Sequence, residues 1–353
     1  MNLQSKHRAA ADNPGRIHSL VGRIVTMVVL LGATTGCMAL RLALRGAPEA
    51  EIRQFQLRLD AVDLPVNSEG GHQHQRRLAP LWTTTPVSGW LHGFDYRLID
   101  AEGDPVPSEV LHHLKVMAPN HRELFSSQIL HLVGAGQETS PVSLPRQIGY
   151  RLEEGDSLLV SAMLHNTTAH SLAGVRLEIS LEYSPVGSWR PPLAVVPFFT
   201  QVTPPLQETF YDLPPGYSQT SVLVKPAISG RILALGGHLH RYGVSLRLED
   251  VGSRRVLWEV EADRLPDGTV VGIPQDEFIW SRGPKLRAER TYRVTATYDN
   301  PTGHSIPDGG MGTLGGVIVP DEPWPTVDRK SAEYVWELDR ETGLAEVSPH
   351  EHR

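Results

Sequence analysis

The sequence predicts an all-β protein: two tandem β-sandwich domains behind an N-terminal signal or membrane anchor. Three observations predict it. Glycine and proline are abundant, 32 and 28 of 353 residues, while hydrophobic residues make up an ordinary 40%. That balance suits a turn-rich β protein better than a helical bundle or a disordered chain. Apolar residues also recur at every second position, as in Val175, Leu177, Ile179 and Leu181, in Val244, Leu246 and Leu248, and in Tyr292, Val294, Ala296 and Tyr298. A period of two marks strands with one buried face. Between such runs lie turn clusters, among them Glu102-Gly103-Asp104-Pro105, Glu154-Gly155-Asp156, Pro266-Asp267-Gly268 and Pro307-Asp308-Gly309. The length allows about two domains, each able to bury a core without staples.

The first element is the leader. Lys6, Arg8, Arg16 and Arg23 precede an apolar run from Ile24 to Leu40, stopped by Arg41. The run is slightly short for a membrane-spanning helix. A basic start, a short apolar core and small residues at its end read as an export signal. Ala33-Thr34-Thr35-Gly36-Cys37 closes on the single cysteine and resembles a bacterial lipoprotein signal, in which that cysteine is lipidated. An uncleaved anchor and ordinary cleavage are the alternatives. For a bacterial chain, all three place the body in the cell envelope, on the periplasmic side or at the cell surface. A lipid on Cys37, or an uncleaved helix, would hold it to the membrane.

Residues 38–54 read as a tether. An N-terminal sandwich is expected over 55–186 and a C-terminal one over 187–322, joined through a Pro-rich stretch between Ser188 and Pro205. Residues 323–353 read as a polar tail with one late strand around Tyr334 to Leu338. No convincing helix longer than two or three turns stands out.

Composition excludes several functions. The net charge of −7 argues against a nucleic-acid binder. One cysteine rules out intramolecular disulfides and cysteine-built zinc or iron–sulfur sites. Sixteen histidines stand against it, so a protein-held metal must sit on His, carboxylate or Met. There is no Gly-x-Ser-x-Gly, phosphate loop, dinucleotide fingerprint or His-Glu-x-x-His.

Four short motifs carry the chemistry. Gly236-Gly237-His238-Leu239-His240 ends an apolar strand. Residues i and i+2 share a strand face, so His238 and His240 can chelate one ion, with the glycines leaving space beside the backbone. Leu111-His112-His113-Leu114 holds adjacent histidines, which can reach one ion only at a bulge or a strand end. Met163-Leu164-His165-Asn166-Thr167-Thr168 closes the strand Ser157 to Leu164. Gly309-Gly310-Met311-Gly312-Thr313-Leu314-Gly315-Gly316 sets one thioether among glycines. Each motif taken alone also fits a packing or surface role.

As an ordered set, His-His, His, His-x-His and then Met resembles the copper type II, ascorbate-dependent monooxygenase family. That family includes peptidylglycine α-hydroxylating monooxygenase and dopamine β-monooxygenase. The resemblance covers roughly residues 55 to 320. It implies jelly-roll-like domains and two mononuclear coppers per chain, facing each other across a solvent-filled cleft. His112, His113 and His165 match the electron-donating site; His238, His240 and Met311 match the site where O2 and substrate meet. A thioether favours Cu(I), the state that must meet O2. The implied activity is hydroxylation of a C–H bond, with ascorbate or a similar one-electron reductant as co-substrate. The peptide-hydroxylating branch carries an Arg where this chain has Gly236, and Asn and Tyr where it has Thr313 and Gly315. A glycine-extended peptide is therefore not the expected substrate; Gly236 leaves room for a bulkier or less charged small molecule or lipid. The alternative is a non-catalytic copper-binding envelope lipoprotein for storage, delivery or sensing. A second His-x-His, His72 and His74, would hold an additional metal or belong to a solvated loop.

Overall fold

A computed structural model describes residues 51–66, 76–136, 142–187, 190–278 and 283–343. The leader with Cys37, and the loop with His72 and His74, lie outside the described residues. Among those described, no helix is long and apolar enough to cross a membrane.

The N-terminal domain is built from β1 (Arg53–Arg58), β2 (Leu81–Thr84), β3 (Gly89–Ile99), β4 (Leu111–Arg122), β5 (Ile129–Gly136), β6 (Ile148–Leu152), β7 (Ser157–Leu164) and β8 (Leu172–Pro185). One sheet runs β1-β8-β3-β6 and the other β2-β7-β4-β5. The C-terminal domain repeats this with β9 (Val196–Gln201), β10 (Gly216–Val224), β11 (Gly230–Leu239), β12 (Gly243–Asp250), β13 (Arg255–Glu261), β14 (Asp276–Glu277), β15 (Tyr292–Asn300) and β16 (Gly312–Pro320). Its sheets run β9-β16-β11-β14 and β10-β15-β12-β13. Apart from the hairpins β4-β5 and β12-β13, consecutive strands pass between the two sheets, in the same order in both domains, the double-sheet winding of a jelly roll. The alternating residues read from sequence point inward: Val175, Leu177, Ile179 and Leu181 on β8, and Val294, Ala296 and Tyr298 on β15, are all buried.

The repeat extends to single hydrogen bonds. Asn166 Nδ2 donates to the carbonyls of Leu64 (3.1 Å), Pro65 (3.0 Å) and His170 (2.8 Å). Asn300 Nδ2 donates to Leu213 (3.2 Å), Pro214 (3.1 Å) and His304 (2.9 Å). Thr168 and Thr302 each donate from N–H and hydroxyl to the Oδ1 of their asparagine. Asp63 accepts from the Gly174 N–H and Asp212 from the Asp308 N–H. The shared sequence is Asp-Leu-Pro followed much later by Asn-x-Thr-x-His, too sparse to stand out unaided.

The domains are joined by short contacts. Leu193 and Ala194 pair in parallel with Ile148 and Gly149 at the edge of β6. Ile148, Val195 and Leu233 make a small apolar cluster between the domains. Phe199 on β9 stacks on His131 of β5, centroids 4.7 Å apart.

The segment after Pro320 corrects an expectation. Tyr334 to Leu338 is not a strand; it lies in helix α1 (Ala332–Thr342), capped by Ser331, whose hydroxyl accepts from the Tyr334 N–H, and ended by Gly343 in the left-handed region. Tyr334, Glu337 and Glu341 are buried, and Leu338 packs against the same apolar cluster as Tyr334. Those positions have helical spacing. Two of them are glutamates, which hid the period. Glu341 meets Lys115 (2.7 Å) and the Ser161 hydroxyl (2.6 Å); Glu337 accepts from the Ile129 N–H (2.6 Å). The helix thus closes back on β4, β5 and β7 of the first domain.

Candidate metal centre

His112 and His113 open β4. Along β7, Met163 faces His113 but the next residue, Leu164, faces Leu111, so His112 is the extra residue of a bulge. That device puts both imidazoles on one side, ring centroids 4.1 Å apart. His238 and His240 come from the end of β11 in the other domain, centroids 5.1 Å apart. The strand turns away immediately afterwards: Tyr242 has φ 69° and the Gly243 N–H donates back to the His240 carbonyl.

The pairs meet. His113 lies 5.3 Å from His238 and His112 lies 5.8 Å from His240, ring to ring. Ring nitrogens of His112, His113 and His240 all lie within 4.8 Å of one another. Histidines that the resemblance assigns to different coppers lie side by side in this structure, at the domain junction. His165 is outside that trio. Its N–H donates to the Val110 carbonyl, which fixes its backbone just beyond the bulge.

Met311 enters through register. Leu239 pairs with Gly312 and His238 with Thr313, so Met311 lies beside His240. The Tyr298 hydroxyl reaches across from the opposite sheet, accepts from the N–H groups of His240 (3.0 Å) and Met311 (3.1 Å), and donates to the Met311 carbonyl. Burial raises its pKa far above the ordinary phenol range and keeps it a donor. Tyr298 had been legible only as a core residue of a strand. Phe210 carries no motif that marks it in the sequence. Its ring lies 5.5 Å from His240 and 6.4 Å, nearly parallel, from His112.

The glycines divide into two kinds. A Cβ on Gly237 would lie 2.3 Å from Leu246, on Gly310 2.2 Å from the Tyr211 ring, and on Gly312 2.6 Å from Ala296. These are contact glycines; they do not serve to make Met311 stand out. At Gly315 a Cβ would meet nothing nearer than 3.9 Å. Gly315 pairs with Gly236 across β16 and β11, on the His238 face of the sheet. The room expected at Gly236 is partly taken: Gln275 Cγ lies 3.1 Å from where its Cβ would be.

The electrostatics at His113 suit a cation bound by a neutral imidazole. Burial first, then the neighbouring His112, His238 and His240, holds the His113 pKa well below the usual imidazole range. His113 Nε2 is buried with no hydrogen-bond partner among the described residues. A buried polar atom without a partner is costly unless something accepts it, and an ion would. Imidazoles with a thioether form a donor set that accommodates copper in both oxidation states, softer than a zinc site needs. The residues therefore fit the metal that the resemblance implies.

No family model and no curated protein matches the chain. Among solved structures it is similar to the major capsid protein P2 from Bacteriophage PM2, with 12% identity and a TM-score of 0.35, covering 76% of this chain and 99% of that one. It is also similar to PNGase F, a glycosylasparaginase from Flavobacterium meningosepticum, with 9% identity and a TM-score of 0.39, covering 78% of this chain and 98% of that one.

Proposed function

We propose that this chain is an exported, membrane-anchored copper monooxygenase that hydroxylates a C–H bond of a small or lipidic substrate. O2 and an ascorbate-like reductant are its co-substrates. The observation that carries the reading is the convergence of His112, His113, His238 and His240 from two domains, with Met311 held beside His240. Copper would supply one-electron redox chemistry and O2 activation, two ions providing the two electrons that hydroxylation needs. The protein's part is to bring the imidazoles together through the bulge, to hold the His240 backbone through the Tyr298 hydroxyl, and to keep His113 neutral by burial. Substrate would lie over Gly236 and Gly315, beside His238, with the Gln275 side chain next to Gly236. Cys37 lipidation, or an uncleaved leader, would keep the protein in the envelope.

Copper binding without turnover is the second reading, favoured by Phe210, which stands against three of the four histidines. The test is copper content of the full chain after loading and dialysis, followed by O2 consumption with ascorbate across a panel of small aromatic and aliphatic amides and alcohols. Stoichiometric copper with substrate-dependent O2 uptake supports the enzyme. Stoichiometric copper with ascorbate oxidation alone supports the binding protein. Absence of retained copper removes both readings.

A further inference from the structure

We infer that Met163 is a thioether ligand of the metal held by His112 and His113, an inference that rests on the copper reading above. Met163 faces His113 directly across the β7–β4 pair. Directly opposed residues share a face, with Cβ atoms about 4.5–5.5 Å apart. The bulge at His112 lies at this same pair, so His112, His113 and Met163 are the two residues and the one opposite that define it.

Neighbouring residues show which way this face looks. Ser161, two residues back on β7, and Lys115, two residues on along β4, both reach Glu341 of α1. The face therefore points away from the sandwich core. Ala162 and Leu164, which flank Met163 in sequence, point into that core. Met163 is half-buried, between His113 on one side and Arg77 of the 76–77 strand on the other. A methionine in a core sits among Leu and Val; the register partners of this one are a histidine and an arginine. Its unbranched side chain can swing its sulfur over a neighbour at that distance.

His165, the expected third ligand, lies two residues farther along and beyond the register shift. The strand position that faces His113 is Met163. With it, each domain supplies two histidines and one methionine: His112, His113 and Met163 from the first, His238, His240 and Met311 from the second. Two thioethers bias the whole centre toward Cu(I) over Zn(II).

The test uses the full chain in detergent, loaded with Cu(I), as wild type, Met163→Leu, Met311→Leu and His165→Ala. Copper X-ray absorption counts the sulfur ligands, and competition with a chromophoric chelator gives the Cu(I) affinity. With two coppers loaded, the wild type is expected to show a mean of one thioether per copper, and each methionine variant half of that. Met163→Leu should lower Cu(I) affinity by at least about tenfold, the low end of what even an outer-shell partner contributes, with Zn(II) affinity unchanged. His165→Ala should leave the sulfur count unchanged. A Leu for Met exchange keeps volume and is well tolerated in packed sites; Met163→Gln, with a melting curve for each variant, guards against a folding artefact. Wild-type sulfur count and affinity in Met163→Leu would overturn this inference alone. A wild type that retains no copper would overturn the copper reading as well.

Discussion

The two sandwiches use one scaffold for unequal work. Each closes its seventh strand with the same Asn-x-Thr-x-His corner, tied to the same Leu-Pro carbonyls. Yet the first domain presents its histidines on β4, at a bulge, while the second presents them on β11, in the opposite type of sheet. Two residues before the corner asparagine the first domain has Leu164, a core side chain, and the second has Tyr298, whose hydroxyl binds His240 and Met311. What was kept is backbone satisfaction at a buried corner; what diverged is which face carries chemistry. Two sandwiches of the same winding can therefore bring side chains of both into one cluster at their junction.

On the copper reading, the largest expected effect comes from breaking the histidine cluster from either side. In two separated sites His113→Ala and His240→Ala would each cost one copper and spare the other. In a shared cluster each variant is expected to loosen both coppers. Metal content after dialysis reads the difference, and clean loss of one ion per variant would restore the separated arrangement.

The corner comes next. Asn166→Ala and Asn300→Ala each strip the same set of buried bonds, so each should cost about 3 kcal/mol, as removing a well-connected buried polar group does. Unequal unfolding free energies would show that the corners are not energetic equivalents.

Tyr298→Phe asks whether the difference between the copies is local. It leaves two N–H groups without their acceptor and should cost about 1–2 kcal/mol, with weaker copper retention because His240 and Met311 lose their common anchor. Leu164→Phe, its counterpart in the first domain, is an overpacking change and should move stability without that specific loss. Copper retention equal to wild type in Tyr298→Phe would limit the hydroxyl to a packing role.

The smallest effect concerns α1, which only the first domain carries. Burial holds Glu337 up at about 7, against 4.5 for the free side chain, with Lys115, Arg340 and Glu341 as its charged neighbours, and His131 Nε2 lies 3.4 Å away. The folded state binds the extra proton, so the stability it contributes is complete below about 4.5 and lost as pH rises through about 7. From about pH 5 to about pH 8 the wild-type melting temperature should fall more than that of Glu337→Gln, by about 2–4 °C, the shift that 1 kcal/mol gives in a domain of this size. Parallel pH profiles would refute the assignment.

Much of this was legible without coordinates. The period of two on β8, β12 and β15 needs only local pattern, because one buried face repeats along the chain. His238 and His240 were legible as a chelating pair for the same reason. The adjacent His112 and His113 required a bulge, and the register shift supplies it. The helix α1 was not legible, since two of its buried positions are Glu337 and Glu341, whose partners Lys115, Ser161 and Ile129 lie some two hundred residues away in sequence.

The amino-acid sequence by itself determined the all-β class, the succession of strands and turns, and the residue types able to hold a soft metal. These are local properties, set by side-chain alternation and donor chemistry. The tertiary structure alone decided that His112 and His113 meet His238 and His240, that Tyr298 anchors Met311, and that Gly236 and Gly315 lie side by side. Each depends on register between strands distant in the chain or on docking between domains. Such contacts are fixed by packing and hydrogen-bond satisfaction over the whole molecule, which no short stretch of sequence contains.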